Sequence, residues 1–203
     1  MHLVQVHSNT VTQKQILDII HFCDSQSTES NYQYNHSRFQ QPPNNWYSLM
    51  FRDAKFYKDF GGLLLAYDDD TLVGISGYYR SNIDPKIYIG SVRTLIHRQH
   101  RHKLLTTQLF IPAQNELVRS AGGACALWLF ETEKEQTFYK IVHKQNVRRA
   151  LDANSRGYKQ QILDNTLILP YPISVNGKSL NAFAHILDKT WQFDFEKLKV
   201  VGL

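Results

Sequence analysis

The sequence has few cysteines and lacks the common nucleophile and metal motifs. Its two cysteines, Cys23 and Cys125, lie far apart with no Cys-x-x-Cys spacing, which predicts reduced, buried thiols rather than a disulfide or a zinc site. No Gly-x-Ser-x-Gly elbow occurs, and no spacing of His, Asp or Glu is typical of a metal site. Covalent serine chemistry and metal catalysis are therefore not indicated.

Long hydrophobic runs are also absent. No stretch of about 18 apolar residues occurs, and residues 1–7 lack the charged-then-apolar order of a signal peptide. We therefore expect a cytoplasmic protein with no membrane partner. A length of 203 residues, of which 42% are hydrophobic and 20% charged, predicts one globular domain over residues 1–203.

Positive charge is concentrated in one short stretch. The chain has a net charge of +5, and six of the seven residues from 97 to 103 are Arg, Lys or His. Residues 93–109 are typical of an apolar strand that runs into a cationic loop and then into an amphipathic helix. Because a helix N-terminus attracts anions, and Arg101 and Lys103 add charge beside it, this stretch predicts a phosphate site.

Hydrophobic period and turn residues predict the secondary structure. The expected helices are 12–23 with a capping Thr12, 46–56, 104–120 and a segment within 136–156. Pro112 is expected to kink the third of these helices or to end its first half. The expected strands are 61–67 and 71–79 around an Asp68–Asp70 turn, 86–96, 124–130 and 158–169, then a hairpin at Asn176-Gly177 with 173–175 and 182–187, and an edge strand within 190–203.

This element order predicts an α+β fold with a mixed, mostly antiparallel central sheet and helices on its faces. The helix between the strands 86–96 and 124–130 allows those two strands to be parallel. A polar stretch without apolar period at residues 24–45 predicts a long loop, and such loops are often functional.

In element order the chain resembles the GNAT-type N-acyltransferases. Their signature at the strand–loop–helix junction is Gln/Arg-x-x-Gly-x-Gly/Ala, and the corresponding residues here are Arg101, His102, Lys103, Leu104, Leu105 and Thr106. The resemblance implies that these residues bind the pyrophosphate of acetyl-CoA or another acyl-CoA. It also implies that backbone groups of Leu95 and Ile96 bind the pantetheine arm. Leu104 and Thr106 depart from the signature, because small residues there let the backbone approach the phosphate closely.

A second part of the resemblance lies further along the chain. Asn146 and Gly157-Tyr158 have the spacing of the family's last conserved helix and the strand that follows it. In this frame Ala153 occupies the position of the family's general-acid tyrosine. In a competing frame, which includes Phe138-Tyr139-Lys140, Tyr139 is the candidate acid, and its structural alternative is an aromatic in a helix core.

Glu131 is the candidate general base, because it follows the predicted strand 124–130 directly. Its structural alternative is a solvated charge in the Glu-Thr-Glu-Lys-Glu run. His97 lies next to the cationic loop and is a further titratable candidate. Gly90, on the strand before that loop, marks either a bulge or a close packing contact.

These observations leave three functions open. The first is transfer of an acyl group from acyl-CoA to an amine on a small molecule or a protein, with loop 24–45 bordering the acceptor site as the resemblance implies. The second is a nucleic-acid or polyanion-binding module, in which residues 97–103 and Arg148-Arg149 contact phosphates and aromatic residues of the polar loop stack on bases; the aromatic residues are Tyr32, Tyr34 and Phe39. The third is a GNAT-like fold without catalysis.

Overall fold

The protein is described by a computed structural model that covers residues 1–27, 54–103, 105, 109–130, 166–168, 173–175 and 178–197. The elements of this part are β1 (His2–Val6), α1 (Gln13–Ser27), β2 (Gly61–Asp68), β3 (Thr71–Arg80), β4 (Ile87–Ile96), α2 (Ile111–Ser120), β5 (Cys125–Phe130), β6 (Thr166–Ile168), β7 (Ile173–Val175) and β8 (Lys178–Ile186). The strand order is β1-β2-β3-β4-β5-β8-β6, with β7 paired to β8. This mixed, mostly antiparallel sheet confirms the predicted α+β fold.

The chain divides into two compact units. The first comprises Met1–Tyr79 and Val92–Leu105, and the second comprises Arg80–Ser91 and Thr106–Leu203. That residues 1–203 form a single domain stays a prediction. Among the described residues, no helix is both long and apolar enough to cross a membrane.

Helix α1 of the first unit begins at a capping box. The Thr12 Oγ1 accepts a hydrogen bond from the Gln15 amide at 3.3 Å, and the Gln15 side chain accepts one from the Thr12 amide at 2.8 Å. Its apolar side places Ile19 and Phe22 in a core with β-strand residues such as Leu63, Leu65, Ile75 and Leu95. The predicted helix 12–23 is confirmed.

The helix continues to Ser27, so the predicted polar loop does not begin at Asp24. Residues 24–27 are helical because their polar groups find local partners. The Ser25 hydroxyl donates to the Phe22 carbonyl at 2.8 Å, and Gln26 is a buried polar side chain.

Strands β2 and β3 form the predicted hairpin. Asp68 pairs with Thr71, so Asp69 and Asp70 make a two-residue turn in which Asp69 has a φ of 52°. Aspartate tolerates this left-handed conformation better than most residues do. The sequence interpretation missed β1, whose short strand pairs antiparallel with β2 from His2–Tyr67 to Val6–Leu63.

Helix α2 and β5 build the second unit around Trp128. Strands β4 and β5 are parallel, as predicted, and pair from Ile87–Cys125 to Gly90–Trp128. Every described residue of the predicted helix 104–120 is helical: Leu105 is α-helical, Leu109 and Phe110 are π-helical, and α2 begins at Ile111. The change from π-helical to α-helical geometry lies next to Pro112, which lacks the N–H group of a regular helical hydrogen bond.

Strand β8 organises the end of the second unit. It pairs antiparallel with β5, β6 and β7, and the β7–β8 register of Val175 with Lys178 confirms the predicted hairpin. Strand β8 begins at Lys178, four positions before the predicted start at Ala182. Strand β6 lies within the predicted strand 158–169.

The predicted edge strand in the tail is wrong for the described residues 191–197. Phe195–Lys197 forms a 3-10 turn instead. The rings of Trp191 and Phe193 stack with centroids 5.5 Å apart, and Phe195 packs edge-on against both. The alternating aromatic residues thus contact one another, which explains their spacing without a strand.

Three further predictions lie outside the described residues: the helix within 136–156, most of the helix 46–56 and loop residues 28–45.

Gly90 is a close packing contact. A Cβ atom at this position would lie 2.8 Å from two carbon atoms of the Trp128 ring, and Trp128 is completely buried. A side chain at position 90 would therefore collide with the indole ring. Between the bond from the Ser81 amide to the Ile87 carbonyl and the bond from the His97 amide to the Val73 carbonyl, β4 has two more residues than β3, so the β3–β4 ladder is irregular in the stretch that contains Gly90.

Gly90→Ala should lower the free energy of unfolding by about 1–3 kcal/mol, because the added methyl group overpacks a rigid site. Urea denaturation measures this change. The double variant with Trp128→Phe should cost less than the two single changes added together, since the shorter phenyl ring withdraws the colliding atoms. Additive single effects would contradict the contact.

Candidate functional site

The cationic segment, defined as residues 97–103, directly follows β4 in the first unit. Arg98–Lys103 forms a 3-10 helix of six residues, where an irregular loop was predicted. The His97 amide donates to the Val73 carbonyl on β3 at 2.8 Å, and the His100 amide donates to the His97 carbonyl at 2.8 Å. These bonds connect the start of the segment to the sheet.

Arg101 is bound to neighbouring parts of the first unit. Its Nε donates to the Ile96 carbonyl at 3.1 Å, and its Nη2 donates to the Gln26 Oε1 at 3.5 Å. Gln26 is 3% exposed and lies at the end of α1. Arg101 therefore connects the end of β4 with the end of α1, in addition to any contact with a ligand.

His100 connects the cationic segment with the β2–β3 hairpin. Its Nε2 donates to the Asp68 Oδ2 at 3.1 Å, and its side chain is 13% exposed. The amino group of Met1 lies 3.9 Å from the other oxygen of Asp68. The rings of His97 and His100 pack edge to face with centroids 5.7 Å apart. Asp68 thus provides negative charge beside a group of cations.

The ladder between β3 and β4 sets the direction of the backbone groups near the segment. The bond from His97 to Val73 and the 2.7 Å hydroxyl contact of Ser76 with Thr94 share one antiparallel register. Because hydrogen-bonded and non-bonded pairs alternate in such a ladder, the backbone groups of Leu95 face β3. Those of Thr94 and Ile96 face away from β3. Of the two residues predicted to bind the pantetheine arm, only Ile96 has this orientation.

The structure describes part of the predicted site. Leu95, Ile96 and Leu105 are buried, Arg101 is half-buried, and His102 and Lys103 belong to the 3-10 helix. The remaining predicted site residues lie outside the described part of the chain, and their roles stay predictions: Leu104, Thr106, Glu131, Tyr139 and Asn146.

The two cysteines are not activated nucleophiles. Burial raises the pKa of Cys23 and of Cys125 to about 12, so both thiols are protonated at neutral pH. Both are free. In the part of the chain that the structure describes, no group of three or more His, Cys, Asp or Glu side chains is arranged to hold a metal ion.

Sequence reasoning missed Asp68 and Gln26 as neighbours of the cationic segment. Asp68 appeared only as a turn residue, and Gln26 only as part of a polar stretch. Asp68 lies 32 residues from His100 along the chain, and Gln26 lies 75 residues from Arg101. No local sequence pattern therefore links these pairs. The only available signal was that a dense group of cations in a folded protein requires nearby acceptors.

Comparisons with protein-family models and with curated proteins gave no match. Comparison with solved structures gave many. An acetyltransferase of the GNAT family from Streptococcus pneumoniae matches with a TM-score of 0.57 at 11% identity, over 91% of this chain and 99% of the other. Aminoglycoside 6′-acetyltransferase type Ii matches with a TM-score of 0.58 at 13% identity, over 93% and 98%.

A CoA-dependent acyl-homoserine lactone synthase, BjaI, solved with SAM and isopentyl-CoA, matches with a TM-score of 0.53 at 17% identity. This match covers 93% of this chain and 84% of the synthase. At such low identities the likeness concerns the fold, and it extends over nearly the whole length of each chain. Together with the mixed sheet and the parallel pairing of β4 with β5, it establishes that this protein has the GNAT-type N-acyltransferase fold.

Proposed function

We propose that the protein is an acyl-CoA-dependent N-acyltransferase that acylates an amine. The observation that carries this proposal is the position of the cationic segment, directly after β4 in a GNAT-type fold. A compact group of cations suits a ligand with several phosphates close together better than it suits an extended polyanion, for which cations are spread along a face. The solved structure of BjaI with isopentyl-CoA supports an acyl-CoA as the ligand.

The described residues fit an acyl-CoA. The N–H group of Ile96 faces away from β3, in the direction that a pantetheine carbonyl would need, whereas the Ile96 carbonyl already accepts from Arg101 Nε. A bound acyl-CoA supplies an acyl group activated as a thioester.

The chain's own residues have two proton-transfer tasks. An amine nucleophile must lose a proton before it attacks, and we assign this task to Glu131, which directly follows the last residue of β5. The leaving thiolate needs a proton, and we assign its donor as Tyr139. Neither task requires a thiolate nucleophile on the enzyme, in agreement with the protonated Cys23 and Cys125.

An amine acceptor is supported by aminoglycoside 6′-acetyltransferase, whose name states its substrate class. We assign the border of the acceptor site to the polar segment that follows α1, over the remaining residues of the predicted loop up to residue 45. A cytoplasmic location is likewise part of the proposal.

Acetyl-CoA at about 100 times its dissociation constant should stabilise the protein by about 2.7 kcal/mol, since a ligand that binds only the folded state adds free energy by mass action. Thermal denaturation with and without acetyl-CoA measures this stabilisation. An oligonucleotide of matched phosphate concentration is the control. Stabilisation by the oligonucleotide, with none by any acyl-CoA, would overturn the enzyme and favour the polyanion-binding module.

Arg101→Ala should lower the free energy of unfolding by about 1–3 kcal/mol without ligand, because the buried Gln26 oxygen loses its charged donor. It should also weaken acetyl-CoA binding. Arg98→Ala is the matched control: it removes the same charge from an exposed residue of the same 3-10 helix and should change stability by less than about 0.5 kcal/mol. Equal stabilities of the two variants in urea denaturation would contradict the structural role of Arg101.

Glu131→Gln should lower kcat by about 100-fold or more with an amine that the protein acylates, because general base catalysis contributes that much. Release of free thiol from acetyl-CoA measures the rate. Glu133→Gln, in the same run of charged residues, is the matched control and should retain most of the rate. If both variants keep full activity, Glu131 is a solvated surface charge.

A further inference from the structure

Two hydroxyl side chains contact each other within the sheet of the first unit. The Oγ atom of Ser76 on β3 lies 2.7 Å from the Oγ1 atom of Thr94 on β4, which is the usual hydrogen-bond distance between two hydroxyl groups. Ser76 is completely buried, whereas Thr94 is partly exposed. A ligand can therefore reach Thr94, while Ser76 is accessible only through its contact with Thr94.

The hydroxyl pair lies on the face of the sheet opposite α1. Ile75 and Leu95, which are the chain neighbours of the two residues, share a core with residues of α1, and successive side chains of a strand point to opposite faces. Two apolar side chains of the same shape would give a similar stability, because the net gain from one buried hydrogen bond is small. Stability alone therefore does not explain why both side chains carry a hydroxyl group.

The position of Thr94 along β4 matches the position of the thioester in the proposed complex. The N–H groups of Ile96 and Thr94 both face away from β3, and the two residues lie about 7 Å apart on the same edge of the strand. In an acyl-CoA, two methylene groups and one sulfur atom separate the last amide from the thioester carbon, which is a comparable length. An arm that extends from the cationic segment past Ile96 thus brings the thioester beside Thr94.

We propose that Thr94 is a catalytic residue whose hydroxyl group binds the attacking nitrogen of the amine, and that Ser76 is the positioning residue that fixes this hydroxyl group. The Thr94 hydroxyl donates to the Ser76 oxygen, and its Oγ1 accepts a hydrogen bond from the amine N–H group. The inference rests on the proposed function for the acyl-CoA and for the amine. The GNAT resemblance implies only backbone groups of Leu95 and Ile96 on this strand, and neither side-chain hydroxyl.

The hydrogen bond from the amine to Thr94 strengthens during the reaction. The nitrogen lone pair forms a bond to the thioester carbon, the carbon–sulfur bond breaks, and the sulfur leaves with the bonding electrons. Positive charge develops on the nitrogen until its proton passes to the assigned base Glu131, and the thiolate takes a proton from the assigned acid Tyr139. Because a charged N–H group is a stronger donor, Thr94 binds the transition state more tightly than the free amine. The hydroxyl groups of Thr94 and Ser76 keep their own protons.

Two substitutions at position 94 test the hydroxyl group. Thr94→Val removes it at nearly constant shape, whereas Thr94→Ser keeps it. Spermidine, kanamycin and hydroxylamine serve as amine probes, and the one that the wild type acylates fastest is used. Thr94→Val should lower kcat/KM for this amine about tenfold or more, as loss of a hydrogen bond to a charged group implies, and Thr94→Ser should retain most of it. Both variants should keep the acetyl-CoA affinity of the wild type in isothermal titration calorimetry.

Stability and activity should separate when both hydroxyl groups are removed. Thr94→Val deprives the buried Ser76 hydroxyl of its partner and should lower the urea midpoint. The double variant with Ser76→Ala should regain part of that midpoint, because both ends of the hydrogen bond are then apolar. Its kcat/KM for the amine should stay as low as that of Thr94→Val. Activity that recovers together with the midpoint would identify a merely structural pair and overturn the proposal.

Tyr78→Phe is the matched control on the same face of β3. The Tyr78 hydroxyl accepts a hydrogen bond from the Gln5 Nε2 at 2.6 Å, and the side chain is buried. The variant should lower the urea midpoint and leave kcat/KM for the amine unchanged. Equal losses of kcat/KM in Tyr78→Phe and Thr94→Val would overturn the specific role of Thr94.

The wild type separates the inference from the proposed function. If the wild type binds acetyl-CoA and acylates an amine, but Thr94→Val has the same kcat/KM, the inference is overturned and the acyltransferase proposal stands. If the wild type binds no acyl-CoA, or acylates none of the three amines, the proposed function fails and the inference fails with it.

Discussion

The hydrogen-bond partners of β4 are the constraint on which the candidate site depends. Buried backbone N–H and C=O groups need partners, and β4 meets this need differently at its two ends. Residues from Ile87 to Gly90 pair in parallel with β5, whereas the ladder with β3 continues to His97. Because bonded and non-bonded pairs alternate in this ladder, the backbone groups of Thr94 and Ile96 face away from β3. The cationic segment begins at His97, where this ladder ends.

Specific contacts within the first unit hold the basic side chains of the cationic segment in place. Arg98, Arg101 and Lys103 carry like charges within six residues and repel one another. Arg101 is held by two neutral acceptors, the Ile96 carbonyl and the Gln26 amide oxygen, and His100 is held by the carboxylate of Asp68. Among the described residues, the buried Nδ1 of His100 has no hydrogen-bond partner.

Much of the fold follows from local sequence patterns. The capping residue Thr12, the Asp68–Asp70 turn and the apolar run of β5 each specify an element through contacts within a few residues, and each prediction is confirmed. The break that Pro112 predicts in its helix coincides with the change from the π-helical residues Leu109 and Phe110 to the α-helix that begins at Ile111. The tail was misjudged because alternating aromatic residues fit a strand and also fit a cluster of rings in contact. Strand β1 was missed because five residues have too little period to indicate a strand.

The sequence by itself determined the element order, the α+β class and the concentration of cations after the third predicted strand, because these depend on period, turn chemistry and composition along a short stretch. Only the tertiary structure decided what those cations do. It made Arg101 a partner of Gln26 and His100 a partner of Asp68, across 75 and 32 positions of sequence. It also turned the backbone of Leu95 toward β3 and that of Ile96 away from it. The physical reason is that hydrogen bonds depend on distance and direction in space, which the spacing of residues along the chain does not specify.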